Sequence, residues 1–382
     1  MTVVRPRFHS FAVRFHQHPR FAVLGAGHGG HALAGYLGLM GYPVRLYTHT
    51  QAKAEVVARA GGIRLEGAVE GFGPVEVSLD LPEVLSNADV ILETHPAHLH
   101  RAVAQACAPW LHDGQVVVLN PGRTGGALEF SRTLQEQGAA PVLVAESQTF
   151  LFASRMLEPG RARIFGVKKS VPLAALPALH TPRVLGLLHH ALPQFVPAVS
   201  VLETSLANMG SIFHPALTLL NAGRIEDTGG DYEFYHGGAT PGVGRVLERL
   251  DAERLAVAAA LDVQVPSARQ WLQEVYGASG DNLQGAIQNN RAYAGIRAPG
   301  SLDHRYLEED IPASLVPLAS LGRHVGVQTL AMDSLIDLAS VIHGTDYRAS
   351  GRTVAKLGLD GLSPEQIRRL VMEGRTENEA IS

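Results

Sequence analysis

Short apolar runs alternate with segments of helical periodicity through the first half of the chain. The runs have the length of buried strands and lie at 21–24, 43–48, 89–94, 115–120, 142–146 and 161–168. Amphipathic spacing between them predicts helices at 31–40, 53–59, 80–88, 98–110 and 128–137. Glycine-rich alternation over 61–76 is typical of edge strands. This order predicts an α/β fold built on a doubly wound parallel sheet.

The pattern changes beyond residue 197. From about residue 202 onward, apolar residues recur mostly at every third or fourth position, and the strand pattern disappears. We therefore expect a sheet domain over 21–197 and a second, all-α domain over 198–382, as the length of 382 residues favours. Residues 1–20 contain four arginines and three histidines without an acid, and we interpret them as a tail.

The apolar run at 21–24 ends in a glycine-rich turn that opens a helix. In that context the first glycine permits the turn, the second lets a pyrophosphate approach the backbone, and the third lets helix and strand pack closely. The helix N-terminus adds free N–H groups and a partial positive charge. This pattern predicts a Rossmann-type dinucleotide site, with a purely structural turn as the alternative. The cofactor-binding residues are then Gly25, Ala26, Gly27, His28, Gly29 and Gly30.

Two further positions bear on the cofactor. In NAD-binding sites an acidic residue closes the second strand and holds the ribose 2′-OH. Thr48 occupies that place, with Thr50 and Lys53 nearby, so no carboxylate repels a 2′-phosphate. We expect NADP(H), and NAD(H) remains possible if this segment is a plain loop. Pro96 follows the strand at 89–94, at the edge where open α/β sheets bind ligands, and is predicted to contact the cofactor.

Composition and charge exclude several classes of function. Hydrophobic residues make up 46% and charged residues 18% of the chain, and the net charge of −4 provides no basic surface for nucleic acid. The single cysteine, Cys107, suits a reducing cytoplasm, where we expect the protein. No apolar run is long enough to predict a membrane span. The 18 histidines lack the ligand spacing of a metal site, so we expect no functional metal.

Two polar features of the sheet domain leave alternatives open. The turn at 120–126 either contacts the nicotinamide end of the cofactor or only reverses the chain. Glu146 and Arg155 flank the carboxyl end of the strand at 142–146. They either pair with each other as part of the scaffold or face the active site.

In the helical half, Asn208 and His214 interrupt an otherwise apolar segment. A polar group among apolar neighbours must find a hydrogen-bond partner. Taken alone, His214 is therefore interpreted either as a satisfied core residue or as a functional group. Pro215 suits the first turn of a helix, which predicts that His214 lies at the helix start.

Several motifs indicate a resemblance to a known family. Each motif alone is weak evidence, but together and in this order they are specific. The sequence resembles the octopine/nopaline dehydrogenase family, the opine dehydrogenases, from residue 21 to about 371, and is most similar to the bacterial N-(1-carboxyethyl)-norvaline dehydrogenase branch. The motifs are GAGHGGHA at 25–32, LNPGRTGGALEF at 119–130, TSLAN at 204–208 before HP at 214–215, TP at 240–241, LDAER at 250–254, RYLEEDIP at 305–312, and GRT at 351–353 before KLGL at 356–359.

The resemblance implies a reductive condensation. An α-keto acid, commonly pyruvate, and the amino group of an L-amino acid form an imine, which NAD(P)H reduces to a secondary amine. It also implies that His214 and Asp310 perform the proton chemistry, a role that suits an imidazole oriented by a carboxylate. By the same resemblance Asn208 hydrogen-bonds near the nicotinamide or the keto-acid carboxylate. Arg305 would bind a substrate carboxylate, with a surface salt bridge to a neighbouring glutamate as the alternative.

Other expectations complete this interpretation. Trp271, Tyr276 and Tyr293 are candidates for the wall that selects the amino-acid side chain, or else belong to the core. The resemblance implies a homodimer through the helical domain. Thr48 departs from the family branch, which carries an acid there, and the basic segment before residue 21 has no counterpart. The rival hypotheses are a keto-acid reductase that forms a hydroxy acid without an amine, and a cofactor-binding protein without catalysis.

Overall fold

The computed structural model describes residues 18–376, so all but the last three residues of the predicted tail lie outside the described residues. Contacts group the chain into two compact units. The nucleotide unit, as we name it here, runs to Thr204 and includes the chain from Arg368 onward, and the helical unit is Ser205–Ile367. The limits expected from the sequence, 21–197 and 198–382, stay a prediction.

The nucleotide unit contains two sheets. The larger has eight strands in the order β12-β11-β8-β7-β6-β1-β2-β5, and the smaller has four in the order β4-β3-β10-β9. Their bounds are β1 Phe21–Leu24, β2 Val44–Tyr47, β3 Gly62–Gly67, β4 Gly71–Pro74, β5 Glu76–Ser78, β6 Val90–Glu93, β7 Val116–Leu119, β8 Leu143–Ser147, β9 Phe152–Glu158, β10 Arg161–Val167, β11 Val171–Leu176 and β12 Phe195–Pro197.

Six helices belong to the same unit. They are α1 His28–Leu39, α2 Gln51–Ala60, α3 Leu81–Ser86, α4 His100–Cys107, α5 Gly126–Glu136 and α6 Thr181–Leu188. Strands β1, β6 and β7 are buried along their whole length, as parallel strands covered on both faces by helices are. The predicted α/β class with a doubly wound, mostly parallel sheet is confirmed.

The sequence pattern missed the end of the large sheet and part of the small one. Strands β9, β11 and β12 and helix α6 were not predicted. β11 pairs antiparallel with β8, and β12 lies parallel to β11 at the edge. Strand β12, at the edge, contains Pro197, and β11, next to it, contains Pro172. Proline argues against a strand inside a sheet, so the sequence pattern did not predict β11.

In the helical unit, every regular element of the described residues is helical, which confirms the expected all-α character. Two helices cross the division between the units, α7 Val201–Leu206 and α18 Pro364–Glu373. The others are α8 Gly210–Leu219, α9 Ala222–Thr228, α10 Phe234–Gly238, α11 Pro241–Ala260, α12 Ala268–Tyr276, α13 Leu283–Gln288, α14 Arg305–Glu308, α15 Val316–His324, α16 Leu330–His343 and α17 Tyr347–Ser350. None of the helices in residues 18–376 has the length and apolarity needed to cross a membrane.

A buried arginine on α11 links three segments of the helical unit. The Arg254 side chain is fully buried, and its guanidinium donates to Asp251 Oδ1 at 2.6 and 3.0 Å. It also donates to the carbonyls of Leu206 and Pro266, each at 2.7 Å. The other carboxylate oxygen of Asp251 accepts from Ala268 N at 2.8 Å. One ion pair thereby joins α11 to the segments that precede α8 and α12.

We expect Arg254→Met to lower the free energy of unfolding by about 3–5 kcal/mol, because it leaves the Asp251 carboxylate buried without its cation. Arg245→Met is the matched control on the same helix. Arg245 is exposed and pairs with no carboxylate of residues 18–376, so its removal costs less than about 1 kcal/mol. Urea denaturation of both variants measures the difference, and equal effects would refute the structural role given to Arg254.

Candidate active site

The glycine-rich turn joins β1 to α1 with very little space between them. Gly25 has φ +101°, a conformation that side chains disfavour. A Cβ atom placed on Gly30 would lie 1.7 Å from the carbonyl oxygen of Gly25. Thr94 Oγ1, at the end of β6, donates to the carbonyls of Leu24 and Gly25 at 2.8 and 3.1 Å. The turn is therefore held against the strand by packing and by hydrogen bonds.

The middle of the same turn is open. A Cβ atom on Gly27 would meet no atom within 4 Å. Gly27 is also the N-cap of α1, and no side chain caps that helix. Open space beside uncapped N–H groups of a 12-residue helix suits the pyrophosphate of a dinucleotide. The residues present therefore fit a nicotinamide dinucleotide.

The remaining residues of the turn are held by the small sheet. Met156 N donates to His28 Nδ1 at 3.0 Å, and Ser154 Oγ donates to the His28 carbonyl at 3.4 Å. The Phe150 ring lies against Gly29, where a Cβ atom would approach it to 2.9 Å. Residues near the start of β9 thus contact the first turn of α1, a connection that the sequence did not indicate.

The end of β2 has hydroxyl and ammonium groups in place of the acid of NAD sites. Thr48 is buried, and its Oγ1 accepts from Thr50 N at 3.2 Å. Lys53 Nζ donates to the Ala26 carbonyl at 3.2 Å, which brings a positive charge to the glycine turn. The structure therefore brings Lys53 to the predicted cofactor site, whereas the Thr48 hydroxyl is engaged by the local backbone.

The end of β6 carries a buried acid–histidine pair next to Pro96. Glu93 is fully buried, and its Oε1 accepts from His95 N and contacts His95 Nδ1, both at 2.8 Å. Burial lowers the pKa of His95, but the hydrogen bond and charge of Glu93 outweigh it, so the pKa is raised. Pro96 is the N-cap of the short 3-10 turn Ala97–Leu99. The sequence signal for this pair was an acid at the end of a buried apolar strand.

The turn after β7 is braced by Glu146, which is fully buried at the end of β8. Its Oε2 accepts from Ala127 N at 2.7 Å, in the first turn of α5, and its Oε1 accepts from Thr204 Oγ1 at 2.6 Å. Arg155 is exposed on β9, and no ion pair joins it to Glu146 within residues 18–376. The scaffold pair considered from the sequence is therefore not formed.

In the helical unit the structure brings His214 and Asp310 together. His214 Nδ1 lies 2.8 Å from Asp310 Oδ2, and the Asp310 side chain is fully buried, whereas that of His214 is 18% exposed. His214 does not lie at the start of a helix as predicted, because α8 begins at Gly210 and Pro215 lies inside it. Asn208 Oδ1 accepts from Gly210 N, the first residue of α8, at 3.1 Å.

A chain of hydrogen bonds continues from this pair. Ser314 Oγ donates to Asp310 Oδ1 at 3.3 Å, and Asn208 Nδ2 donates to Ser314 Oγ at 2.9 Å. Ser314 lies in the π-helical segment Ile311–Leu315, a wide turn often found at functional sites. The sequence missed Ser314, although a hydroxyl four residues beyond the acid is a usable signal. Asn208 thereby acts on the histidine through Ser314 and Asp310.

Aromatic side chains surround His214. The Tyr306 ring stacks on the imidazole at 4.1 Å with 20° between the ring planes, and Phe234 stacks on Tyr306 at 4.9 Å. The predicted substrate-wall residues also meet in the helical unit. Tyr293 stacks on Tyr235 at 3.9 Å, and Tyr276 contacts both Tyr293 and Trp271. The sequence missed the stacking role of Tyr306.

Arg305 forms a salt bridge with a neighbouring glutamate, the alternative to a substrate-binding role that the sequence left open. Its Nη2 lies 2.8 Å from Glu309 Oε2, one helical turn later, and its side chain is 55% exposed. Glu309 itself is buried. The guanidinium thus covers a buried carboxylate and keeps a face towards solvent.

A parallel sheet with an open glycine turn and a helical unit with a histidine–carboxylate pair define an NAD(P)-dependent oxidoreductase of two-part architecture. The alpha-helical domain of NAD/NADP octopine/nopaline dehydrogenase matches residues 197–343, and the N-terminus of NAD-dependent glycerol-3-phosphate dehydrogenase matches residues 20–123. The opine dehydrogenase of Arthrobacter sp. (strain 1C) is 42% identical over 92% of this chain and 98% of its own length. The chain therefore belongs to the opine dehydrogenase family, and it is an oxidoreductase of the CH–NH class.

More distant proteins share the fold. The octopine dehydrogenase of Pecten maximus is 28% identical over 88% of this chain and 93% of its own length. A solved octopine dehydrogenase structure with NADH and L-arginine has a TM-score of 0.76 at 24% identity, covering 95% of this chain and all of that one. An NADP+-bound yersinopine dehydrogenase has a TM-score of 0.69 at 18% identity, covering 90% of this chain and 96% of that one.

Two glycine substitutions separate packing from cofactor binding. Gly30→Ala should lower the melting temperature, because its methyl group cannot fit against the Gly25 carbonyl. Gly27→Ala should melt like the wild type but bind NAD(P)H at least about tenfold more weakly, because its methyl group occupies the open space. Thermal denaturation and fluorescence titration measure both. Unchanged cofactor affinity in Gly27→Ala would contradict the assignment of this opening.

Proposed function

We propose that the protein condenses an α-keto acid, with pyruvate as the expected substrate, with the amino group of an L-amino acid and reduces the resulting imine. The product is an N-(1-carboxyalkyl) amino acid. The observation that carries the proposal is the His214–Asp310 contact of 2.8 Å in a chain of the opine dehydrogenase family. Bound NAD(P)H supplies the hydride.

The contact determines which imidazole nitrogen is used. An ionised Asp310 only accepts hydrogen bonds, so its contact with Nδ1 favours the tautomer that carries the proton there. His214 Nε2, which engages no group among the described residues, is then free to exchange a proton with a substrate. Ser314 and Asn208 orient the carboxylate from its other side. This is the usual arrangement of an acid–base histidine.

In the proposed sequence His214 handles two protons in turn. The amine nitrogen attacks the keto carbon, and Nε2 removes a proton from that nitrogen and returns it to the oxygen, which gives the carbinolamine. Nε2 takes up a second proton from solvent and donates it to the carbinolamine hydroxyl, which leaves as water while the C=N bond of the iminium forms. Asp310 stabilises the imidazolium between the two transfers. The reduced carbon then bears the new secondary amine.

The geometry gives different support to the substrate-binding roles predicted for the aromatic residues, Arg305 and Asn208. Trp271 and Tyr293 belong to an aromatic cluster, which supports a wall against the amino-acid side chain. Arg305 would bind a carboxylate with the part of its guanidinium that faces solvent. Asn208 is buried, with its amide donating to Ser314 and accepting from Gly210, so we propose that it positions Asp310.

We further propose NADP(H) as the preferred cofactor. Thr48 takes the place of the family's acid, and Lys53 brings a positive charge to the glycine turn, which favours a 2′-phosphate. We also propose the homodimer that the resemblance implies. An exposed apolar pair on α16, Leu338 and Val341, is consistent with a contact surface on the helical unit.

The first test is NADPH and NADH oxidation with pyruvate, with and without a panel of L-amino acids. Oxidation that needs both substrates supports the proposal, whereas oxidation with pyruvate alone would identify a keto-acid reductase. His214→Ala should lower kcat by about 10²- to 10⁴-fold, the range for loss of a general acid–base group, with an unchanged dissociation constant for the cofactor. Retained turnover in this variant would refute the proton transfer.

The cofactor preference has its own test. Thr48→Asp should reduce kcat/KM for NADPH relative to NADH by at least about tenfold, because a carboxylate repels a 2′-phosphate and accepts from a ribose hydroxyl. Thr48→Ser keeps the hydroxyl and is the control. An unchanged NADPH-to-NADH ratio in Thr48→Asp would mean that residue 48 does not face the 2′ position.

A further inference from the structure

Lys168 is a charged group of the nucleotide unit that the proposed reaction has not used. It follows β10 directly, and its backbone N–H donates to the Leu151 carbonyl at 3.0 Å. Its side chain is partly buried, and Nζ donates to Thr149 Oγ1 at 2.6 Å. No carboxylate of residues 18–376 pairs with this ammonium. A partly buried cation without an anion is costly, so this ammonium is a candidate to bind an anionic ligand.

The ammonium lies at the edge of the sheet where ligands bind. Thr149 comes two residues after the end of β8, and Gly122 N, in the turn after β7, donates to the Ser147 carbonyl at 3.1 Å. Phe150, next to Thr149, lies against Gly29 in the first turn of α1. Lys168 and Thr149 therefore stand between the glycine turn and the 120–126 turn, beyond the carboxyl ends of parallel strands.

A second cation stands close by. Arg123, in the turn after β7, has φ +60°, and its positive charge acts on Lys168. Burial and, to a smaller degree, this charge lower the pKa of Lys168 to about 8. An anion bound to Lys168 would offset both the cost of its burial and the repulsion from Arg123.

We propose that Lys168, with Thr149 beside it, binds the carboxylate of the α-keto acid. The inference rests on the proposed function, because that keto acid is the substrate named there. The carbon that accepts the hydride is bonded directly to this carboxylate, so a cation at the cofactor-binding edge of the sheet, as Lys168 is, is suitably placed to hold it. The pyrophosphate of the cofactor offers the same anionic chemistry, and the experiment separates the two.

The test uses the full chain with Lys168→Met, Lys168→Arg and the neighbouring Lys169→Met as a control. Lys169 is exposed and one residue away, so its removal changes net charge equally without touching the site. Isothermal titration calorimetry measures two kinds of dissociation constant for each protein, in the absence of amino acid. The first is for NADPH binding to the protein alone. The second is for each of the keto acids pyruvate, glyoxylate and 2-oxobutanoate binding to the enzyme–NADPH complex.

We expect Lys168→Met to weaken keto-acid binding by about 10- to 100-fold, as the loss of a hydrogen bond between charged groups does. Its NADPH affinity and melting temperature should match those of Lys169→Met. Lys168→Arg should restore part of the affinity. In the wild type, keto-acid affinity should fall as the pH rises through about 8, because the ammonium loses its proton, and Lys168→Arg should remove this dependence.

Each outcome decides between the possibilities. Weaker NADPH binding with unchanged keto-acid binding would overturn the proposal and assign Lys168 to the cofactor phosphates. Unchanged affinities in Lys168→Met, or a wild type that binds none of the three keto acids, would also overturn it. Lysine-dependent keto-acid binding in a protein that forms no opine would uphold this inference while the proposed function fails.

Discussion

The hydrogen bond between His214 and Asp310 is the interaction around which the helical unit is arranged. Asp310 is fully buried, and a buried carboxylate is tolerated only when its oxygens are satisfied. His214 satisfies one oxygen and Ser314 the other, while Tyr306 stacks on the imidazole. The local backbone serves this arrangement, since Asp310 leads into a π-helical segment that brings Ser314 back to its carboxylate.

The nucleotide unit is subject to a different constraint, because it must bind the negatively charged phosphates of a dinucleotide close to its own backbone. The close approach of Gly30 to Gly25 packs α1 against the sheet, and the open space at Gly27 leaves helix N–H groups accessible. Positive side chains occupy the surroundings of this edge, with Lys53 on the Ala26 carbonyl and Lys168 on Thr149. Glu146, a fully buried acid at the end of β8, accepts hydrogen bonds from a backbone N–H of α5 and from the Thr204 hydroxyl.

The sequence predicted local features better than features that join residues far apart in the chain. The glycine turn and the strands β1, β6 and β7 were predictable, because both depend on neighbouring residues and on complete burial. His214 and Asp310 are 96 residues apart, so only the resemblance to the family linked them. Tyr306 gave no periodic signal, because stacking depends on tertiary placement, whereas Ser314 was missed although its spacing of four residues from Asp310 was a signal. Strand β11 was not predicted, because Pro172 argues against a strand inside a sheet, and β11 is paired on both sides.

The division of the chain into its two units has a consequence for how the protein is made. The nucleotide unit takes in the chain from Arg368 onward, where Leu370 and Val371 are buried. It is therefore a discontinuous domain, interrupted by the whole helical unit. A ribosome that has just produced Thr204 has synthesised every strand of the large sheet but not the segment that completes its unit. That unit therefore receives its last segment only after the whole helical unit has been synthesised, so the unit that comes second in the chain is the first to be complete.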